Sequence, residues 1–193
     1  MSFSAVILAG GKSLRMGCDK AFLEISGRAL LARQIGIVRD AGAVEVFISG
    51  RAETDYSRFG CQVLMDQFPR CGPLAGIERA LATGASPLLL VLAVDLPRLT
   101  ADFLRELAAK ASQGYGIIPR IAGQVEPLAA FYPRTAHSLA VEHLQTGKLA
   151  AREFAAASVA AKLAVFADFP AATTELFQNC NVPADLPMTC NPV

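Results

Sequence analysis

Three cationic side chains, Lys12, Arg15 and Lys20, stand within nine positions on a glycine-bearing stretch, LAGGKSLRMGCDK, over residues 8–20. That combination suits phosphate. Glycines let backbone N–H groups come close and turn toward anionic oxygens, and cations on the same loop offset the charge. The stretch follows the apolar run Ala5-Val6-Ile7-Leu8, so it reads as a buried first strand feeding a tight loop. Two better-known phosphate loops do not fit. The P-loop pattern would place its first glycine at Val6, and the dinucleotide fingerprint fails because Gly10 is followed by Gly11 and Lys12.

Two aspartates are placed to complement this loop. Asp95 follows LLLVLAV and precedes Leu96-Pro97, so its carboxylate emerges from the end of a central apolar strand. Magnesium is commonly held by one or two carboxylates together with substrate phosphates, and Asp95 is read as such a ligand. The competing reading is an aspartate capping the turn before the next helix. Asp66 follows CQVLM and precedes the run GPLAG, with a turn aspartate again as the alternative. Other chemistries find less support. His137 and His143 are six apart in a predicted helix, off the i, i+4 spacing of a shared metal, and read as surface or hydrogen-bonded helix residues. The five cysteines are odd in number without CxxC spacing, which favours reduced thiols over a disulfide framework or zinc site.

The elements that must position these groups can be read from the pattern of apolar residues. Residues 29–41 carry helical spacing and stop near Gly42. Residues 44–49 and 61–65 read as strands, and 73–82 as a helix with Pro73 in its first turn and Gly84 beyond its end. Residues 87–93 form a continuous apolar run, as in a parallel-sheet strand covered on both faces. Thr100 caps a predicted helix reaching about residue 111. Further on, 116–119 and 126–132 read as short strands with room for one to run antiparallel, and 135–146 and 149–157 as helices separated by Gly147. The Ala-rich stretch 150–164 is biased in composition, with Phe154 and Val159 as its core material.

This alternation predicts an α/β fold: a doubly wound, mostly parallel, Rossmann-like sheet with helices on both faces. Such sheets bind ligands beyond the carboxyl ends of their strands, where Gly10, Asp66 and Asp95 all fall. At 193 residues, 53% hydrophobic and 18% charged, the chain suits one domain spanning residues 1–193. Net charge of +1 and 7% aromatic content without tryptophan argue against a nucleic-acid or membrane-surface binder. No signal-peptide pattern or membrane-length apolar run stands out, and a cytoplasmic location is expected.

The thirteen-residue stretch resembles the signature LAGGxSxRMGxDK of nucleotidyltransferases that activate sugars and cofactors, most closely the molybdenum cofactor guanylyltransferase branch. Four further motifs follow in the expected order: Asp66 with GPLAG, Val94-Asp95-Leu96-Pro97 in place of Cys-Asp-x-Pro, Glu126-Pro127-Leu128, and FQNCNVPADL, which resembles FxNxNTPxDL with Val182 in place of threonine. The resemblance implies transfer of GMP from GTP to the terminal phosphate of the molybdenum–molybdopterin cofactor, with release of pyrophosphate and a requirement for Mg²⁺. It implies catalytic roles for Lys20, Arg15 and Asp95, the last as metal ligand. Leu8, Ala9, Gly10, Gly11, Lys20, Asp66 and Asp95 would bind the nucleotide. Gly76, Glu126, Pro127 and Asn181 would shape the acceptor pocket, with Asn181 as a second metal or pterin contact. Lys12 and Cys18 occupy variable positions. Molybdoenzymes or their chaperones stand as candidate partners. The competing readings are a cytidylyltransferase acting on the same cofactor, a sugar-phosphate nucleotidyltransferase, and a nucleotide-binding homologue that no longer catalyses.

Overall fold

A computed structural model describes residues 2–10, 20–112 and 114–179. Among these, eight strands form one sheet. In chain order the elements are β1 (Phe3–Leu8), a 3₁₀ turn (Lys20–Phe22), the small hairpin β2 (Glu24–Ile25) and β3 (Arg28–Ala29), α1 (Leu30–Asp40), β4 (Ala43–Ser49), β5 (Gln62–Leu64), α2 (Pro73–Thr83), β6 (Leu88–Ala93), α3 (Ala101–Lys110), β7 (Gly116–Ile121), β8 (Gln124–Val125), β9 (Ala129–Pro133), α4 (His137–Gln145), α5 (Ala151–Ala160) and β10 (Ala164–Phe169). The sheet order is β10-β7-β9-β6-β1-β4-β5, with β8 paired to β7. β6, β1, β4 and β5 are mutually parallel, whereas β9 pairs antiparallel to both β6 and β7.

β6 shows why the centre of this sheet is parallel and doubly covered. Leu88, Leu90 and Leu92 join a core with α1 and α3, including Leu30, Leu31, Val38, Leu104 and Leu107. Leu89 and Val91 point to the other face and pack with α2, α4 and α5 through Leu74, Ile77, Leu81, Ala140 and Phe154. Every residue from Leu88 to Leu92 is therefore buried, which the uninterrupted apolar run anticipates. The two helix layers are those of a doubly wound fold.

The helix boundaries follow local chemistry. Thr100 caps α3 by accepting from the Phe103 N–H at 3.3 Å. Pro73 occupies the first turn of α2, and α1 ends before Gly42, whose φ of +102° suits glycine. Departures lie in the second half. The strand expected over 126–132 begins only at Ala129, because Glu126-Pro127-Leu128 forms a turn. The helix expected from residue 135 starts at His137 after a 3₁₀ turn. β10 completes the sheet edge beside β7 where no strand was expected. His143 is buried against the edge of Phe154, and its Nδ1 has no hydrogen-bond partner among the described residues, so it is neither surface nor satisfied. No helix among the described residues is long and apolar enough to cross a membrane.

Candidate active site

Four strand ends meet along one edge of the sheet. β1 ends in Leu8 and runs on to Ala9, whose N–H donates to Ser49 O at 2.9 Å, continuing the β1–β4 pairing past the strand. Gly10 then passes the Gly50 backbone at 3.8 Å from where its Cβ would lie. β5 leads to Asp66, and β6 to Asp95 two residues beyond its end. β9 contributes through its reversal. Because it runs antiparallel to β6, its amino end lies beside the carboxyl end of β6: Ala129 pairs with Leu92, and Leu128 O accepts from Ala93 N at 2.8 Å. Glu126 and Pro127 are thereby delivered to the same edge as Gly10, Asp66 and Asp95.

At the centre stands an ion pair. Lys20 Nζ lies 3.1 Å from Asp95 Oδ2, with the two side chains 21% and 26% exposed, shielded from bulk water yet reachable by a ligand. The residues are 75 apart in sequence. Lys20 is positioned by its 3₁₀ turn. Ala21 is buried, Phe22 stacks on Tyr56 at 5.8 Å and touches Phe59 at 5.7 Å, and Leu23 N returns to Lys20 O at 3.2 Å. Tyr56 lies so close to Gly50 that a Cβ there would strike its ring. Its hydroxyl accepts from Arg51 N at 3.3 Å, so one tyrosine braces both the lysine turn and the loop after β4.

Asp66 is half-buried. Ser49 favours its charged form, while its Oδ1 is enclosed with no partner among the described residues. Burial, and then the charge of Glu78, raise its acid from the ordinary value. Glu78, on α2, is itself 1% exposed. Its Oε1 lies 2.8 Å from His137 Nε2, and Oε2 has no partner among the described residues. Gly72 starts α2 at φ +68°, and Gly76 is buried one turn on. A Cβ at Gly76 would meet Ser49 and Leu8, so this glycine seats the helix on the strand ends and presents no open face to an acceptor. Burial also raises the acid of Glu126, against the opposing pull of Arg152, and the buried Tyr132 hydroxyl donates to Pro127 O at 3.0 Å, fixing the turn.

The structure thus brings together Leu8, Ala9, Gly10, Lys20, Asp66, Asp95, Gly76, Glu126 and Pro127. Gly11, Arg15 and Asn181, with Lys12 and Cys18, lie outside the described residues. Two polar residues at this edge escaped the sequence reading. Glu78 sits among Leu74, Ala75 and Leu81, and Gln34 among Leu30, Leu31, Ile35 and Val38, each on the buried stripe of its helix. A polar side chain at a helical core position is the signal that would have found both.

A carboxylate beside a lysine, next to glycine backbone at parallel strand ends, can hold a metal-bound polyphosphate and offset its charge. Among the described residues no group of three or more His, Cys, Asp or Glu side chains could cage a metal alone. A single carboxylate is the donor set for a cation that takes its remaining ligands from phosphates and water, and Asp95 fits it.

Comparison with known proteins shows what the chain as a whole is similar to. A protein of Opitutus terrae named as a probable molybdenum cofactor guanylyltransferase is 39% identical over 161 residues, 82% of this chain and 80% of its own length. The molybdenum cofactor guanylyltransferase of Syntrophotalea carbinolica is 33% identical over 149 residues, 75% of this chain and 69% of its own. The fold is shared with the crystal structure of molybdopterin-guanine dinucleotide biosynthesis protein A from Archaeoglobus fulgidus, at a TM-score of 0.73 and 22% identity over 96% of this chain and 94% of that one. With residues 5–164 matching the MobA-like NTP transferase domain, the chain belongs to that family of nucleotidyltransferases.

Proposed function

We propose that this chain transfers GMP from GTP to the terminal phosphate of the molybdenum–molybdopterin cofactor, forming the guanine dinucleotide cofactor and pyrophosphate. The observation that carries the reading is the Lys20–Asp95 pair at the carboxyl edge of the sheet, in a chain 39% identical to a relative named for this activity. Residues 1–193 would form one domain around that site.

In the reaction a phosphate oxygen of the acceptor attacks the α-phosphorus of GTP, the bond from that phosphorus to the bridging oxygen breaks, and the electron pair leaves with pyrophosphate. A phosphate is already anionic at neutral pH, so no strong base is needed, and the protein's task is positioning and charge compensation. Mg²⁺, held through the Asp95 carboxylate, would supply Lewis-acid stabilisation of the phosphate oxygens. Lys20 lies over the transferring phosphate and offsets charge growing in the transition state. Arg15 offers its planar fork to the β- and γ-phosphates. The Leu8–Gly10 backbone and Gly11 approach the nucleotide, and Asp66 accepts a hydrogen bond from it. Glu126 and Pro127 shape the acceptor side with Asn181. Gly76 contributes there through packing, by holding Ser49 and hence Asp66 in place.

The test is incubation with each nucleoside triphosphate, Mg²⁺ and molybdenum cofactor, scored for pyrophosphate and dinucleotide. Product with GTP supports the reading. Product with CTP alone would make the chain a cytidylyltransferase, and binding of nucleotide without product would make it a non-catalytic homologue.

A further inference from the structure

The turn that carries Asp95 is held from the side by two consecutive residues of α1. Gln34 is completely buried, and its Nε2 donates to Leu96 O at 2.8 Å and to Val94 O at 3.4 Å, the carbonyls on either side of Asp95. Arg33 Nε donates to the next carbonyl, Pro97 O, at 2.7 Å. Val94 N donates to Leu8 O at 3.3 Å, tying the same turn to the end of β1. Pro97 brings no N–H, so the turn has one donor fewer with which to close on itself and takes donors from α1 instead. We propose that Gln34 and Arg33 are positioning residues for nucleotidyl transfer, fixing the turn of residues 94–97 through three carbonyls and so holding the Asp95 carboxylate opposite Lys20.

Two observations argue against a purely packing role for Gln34. Its neighbours on the buried stripe, Leu30, Leu31, Ile35 and Val38, are all aliphatic, and an aliphatic residue would fill this site without desolvating an amide. Its Oε1, moreover, has no partner among the described residues, so the amide is committed to the turn through its nitrogen alone. Exchanging the two ends of the amide would set oxygen against two carbonyl oxygens, which fixes the orientation. The arrangement resembles the outer partners of metal-ligating carboxylates, which orient a ligand they do not themselves supply.

This inference rests on Asp95 as metal ligand, and the experiment separates the two. Asp95→Asn, Gln34→Met (volume kept, both donors lost), Arg33→Ala and Arg33→Lys would be compared by kcat, by KM for GTP, and by thermal unfolding. Mn²⁺ affinity would be measured by electron paramagnetic resonance in the presence of the α,β-methylene analogue of GTP. Loss of an outer partner typically costs about 10- to 100-fold in metal affinity or activity, and Gln34→Met should fall in that range for both kcat and Mn²⁺ affinity. Because metal and nucleotide share the phosphates, KM for the metal–GTP complex should rise by no more than Mn²⁺ affinity falls, and the loss in kcat should come on top of that rise. Arg33→Ala should show a smaller loss of the same kind, and Arg33→Lys should recover most of it. If Gln34→Met does not fold, Arg33→Ala against Arg33→Lys decides alone. Full turnover in Asp95→Asn would overturn the metal assignment and this inference with it. A dead Asp95→Asn beside Gln34→Met and Arg33→Ala variants with normal kcat and Mn²⁺ affinity would overturn the positioning role only. Lower unfolding temperatures with unchanged kcat per folded molecule would do the same.

Discussion

Asp95 and Lys20 form one electrostatic unit, yet their removal should have different signatures. Asp95→Asn keeps the shape of the side chain but loses the charge proposed to hold a divalent cation. We expect turnover to be abolished with the circular dichroism spectrum and unfolding temperature nearly unchanged; near-normal turnover at limiting Mg²⁺ would refute the assignment. Lys20→Ala removes the donor proposed to meet charge that develops during transfer, a loss typically of about 10²–10³ in kcat. Equilibrium GTP binding should weaken far less, as single-turnover rates and titrations would show, and Lys12→Ala should leave both near the parent values. Asp66 carries a further prediction. Its folded-state acid is raised above the ordinary 3.8 by burial and by Glu78. Its contribution to stability is therefore fully present below pH 3.8 and is lost as pH rises through the higher folded value. Asp66→Asn should accordingly match the parent in unfolding temperature near pH 4 and exceed it at neutral pH, while binding GTP more weakly. An unfolding-temperature difference that stays constant with pH would contradict this account.

At the scale of elements, the site depends on how closely α2 lies on the ends of β1 and β4. Gly76 allows that approach, because Ser49 and Leu8 occupy the space a methyl group would need. Gly76→Ala should destabilise the fold by about 1–3 kcal/mol, the usual cost of overpacking. It should also impair nucleotide binding through Ser49, which favours the charged form of Asp66. Denaturant unfolding together with GTP titration would reveal both effects, and an unchanged unfolding midpoint would show that the helix can shift at no cost. α3 supplies a contrast, beginning just beyond the turn of Asp95. Its cap, Thr100, serves the Phe103 N–H, and Thr100→Ala should cost about 1 kcal/mol of stability, as denaturant unfolding would show.

For the whole molecule, two cores on opposite faces of one sheet leave the strand ends as the place where distant parts of the chain meet. β6 is buried on both faces, and the loops beyond it carry the residues proposed for the chemistry. The nucleotide that this edge accepts is a property of the assembled site. GTP should give a much higher kcat/KM than CTP, ATP or UTP with molybdenum cofactor as acceptor, and preference for CTP would move the chain to the cytidylyl activity.

Much of this is legible in the amino-acid sequence by itself. β1, α1, β4, α2, β6 and α3 fall where apolar periodicity, Pro73, Gly42 and Thr100 place them, because each is governed by its own residues and near neighbours. The phosphate-type loop and the two aspartates are likewise recognisable from residue type and strand-end position. β10 is not: it follows an Ala-rich helix, and its inner residues from Val165 to Asp168 are half-buried or exposed at the edge of the sheet, so it lacks the alternation that marks a strand. The reversal of β9 is equally open in one dimension, and it is what carries Glu126 and Pro127 to the edge that bears Asp95. Residue type and spacing determined which groups could handle phosphate and metal. Only the tertiary structure decided that Lys20 meets Asp95, that Glu78 charges the surroundings of Asp66, and that Gln34 grips the turn of Asp95. Each of these relations joins residues on different elements, and their distance in space is set by sheet order and helix packing rather than by separation along the chain.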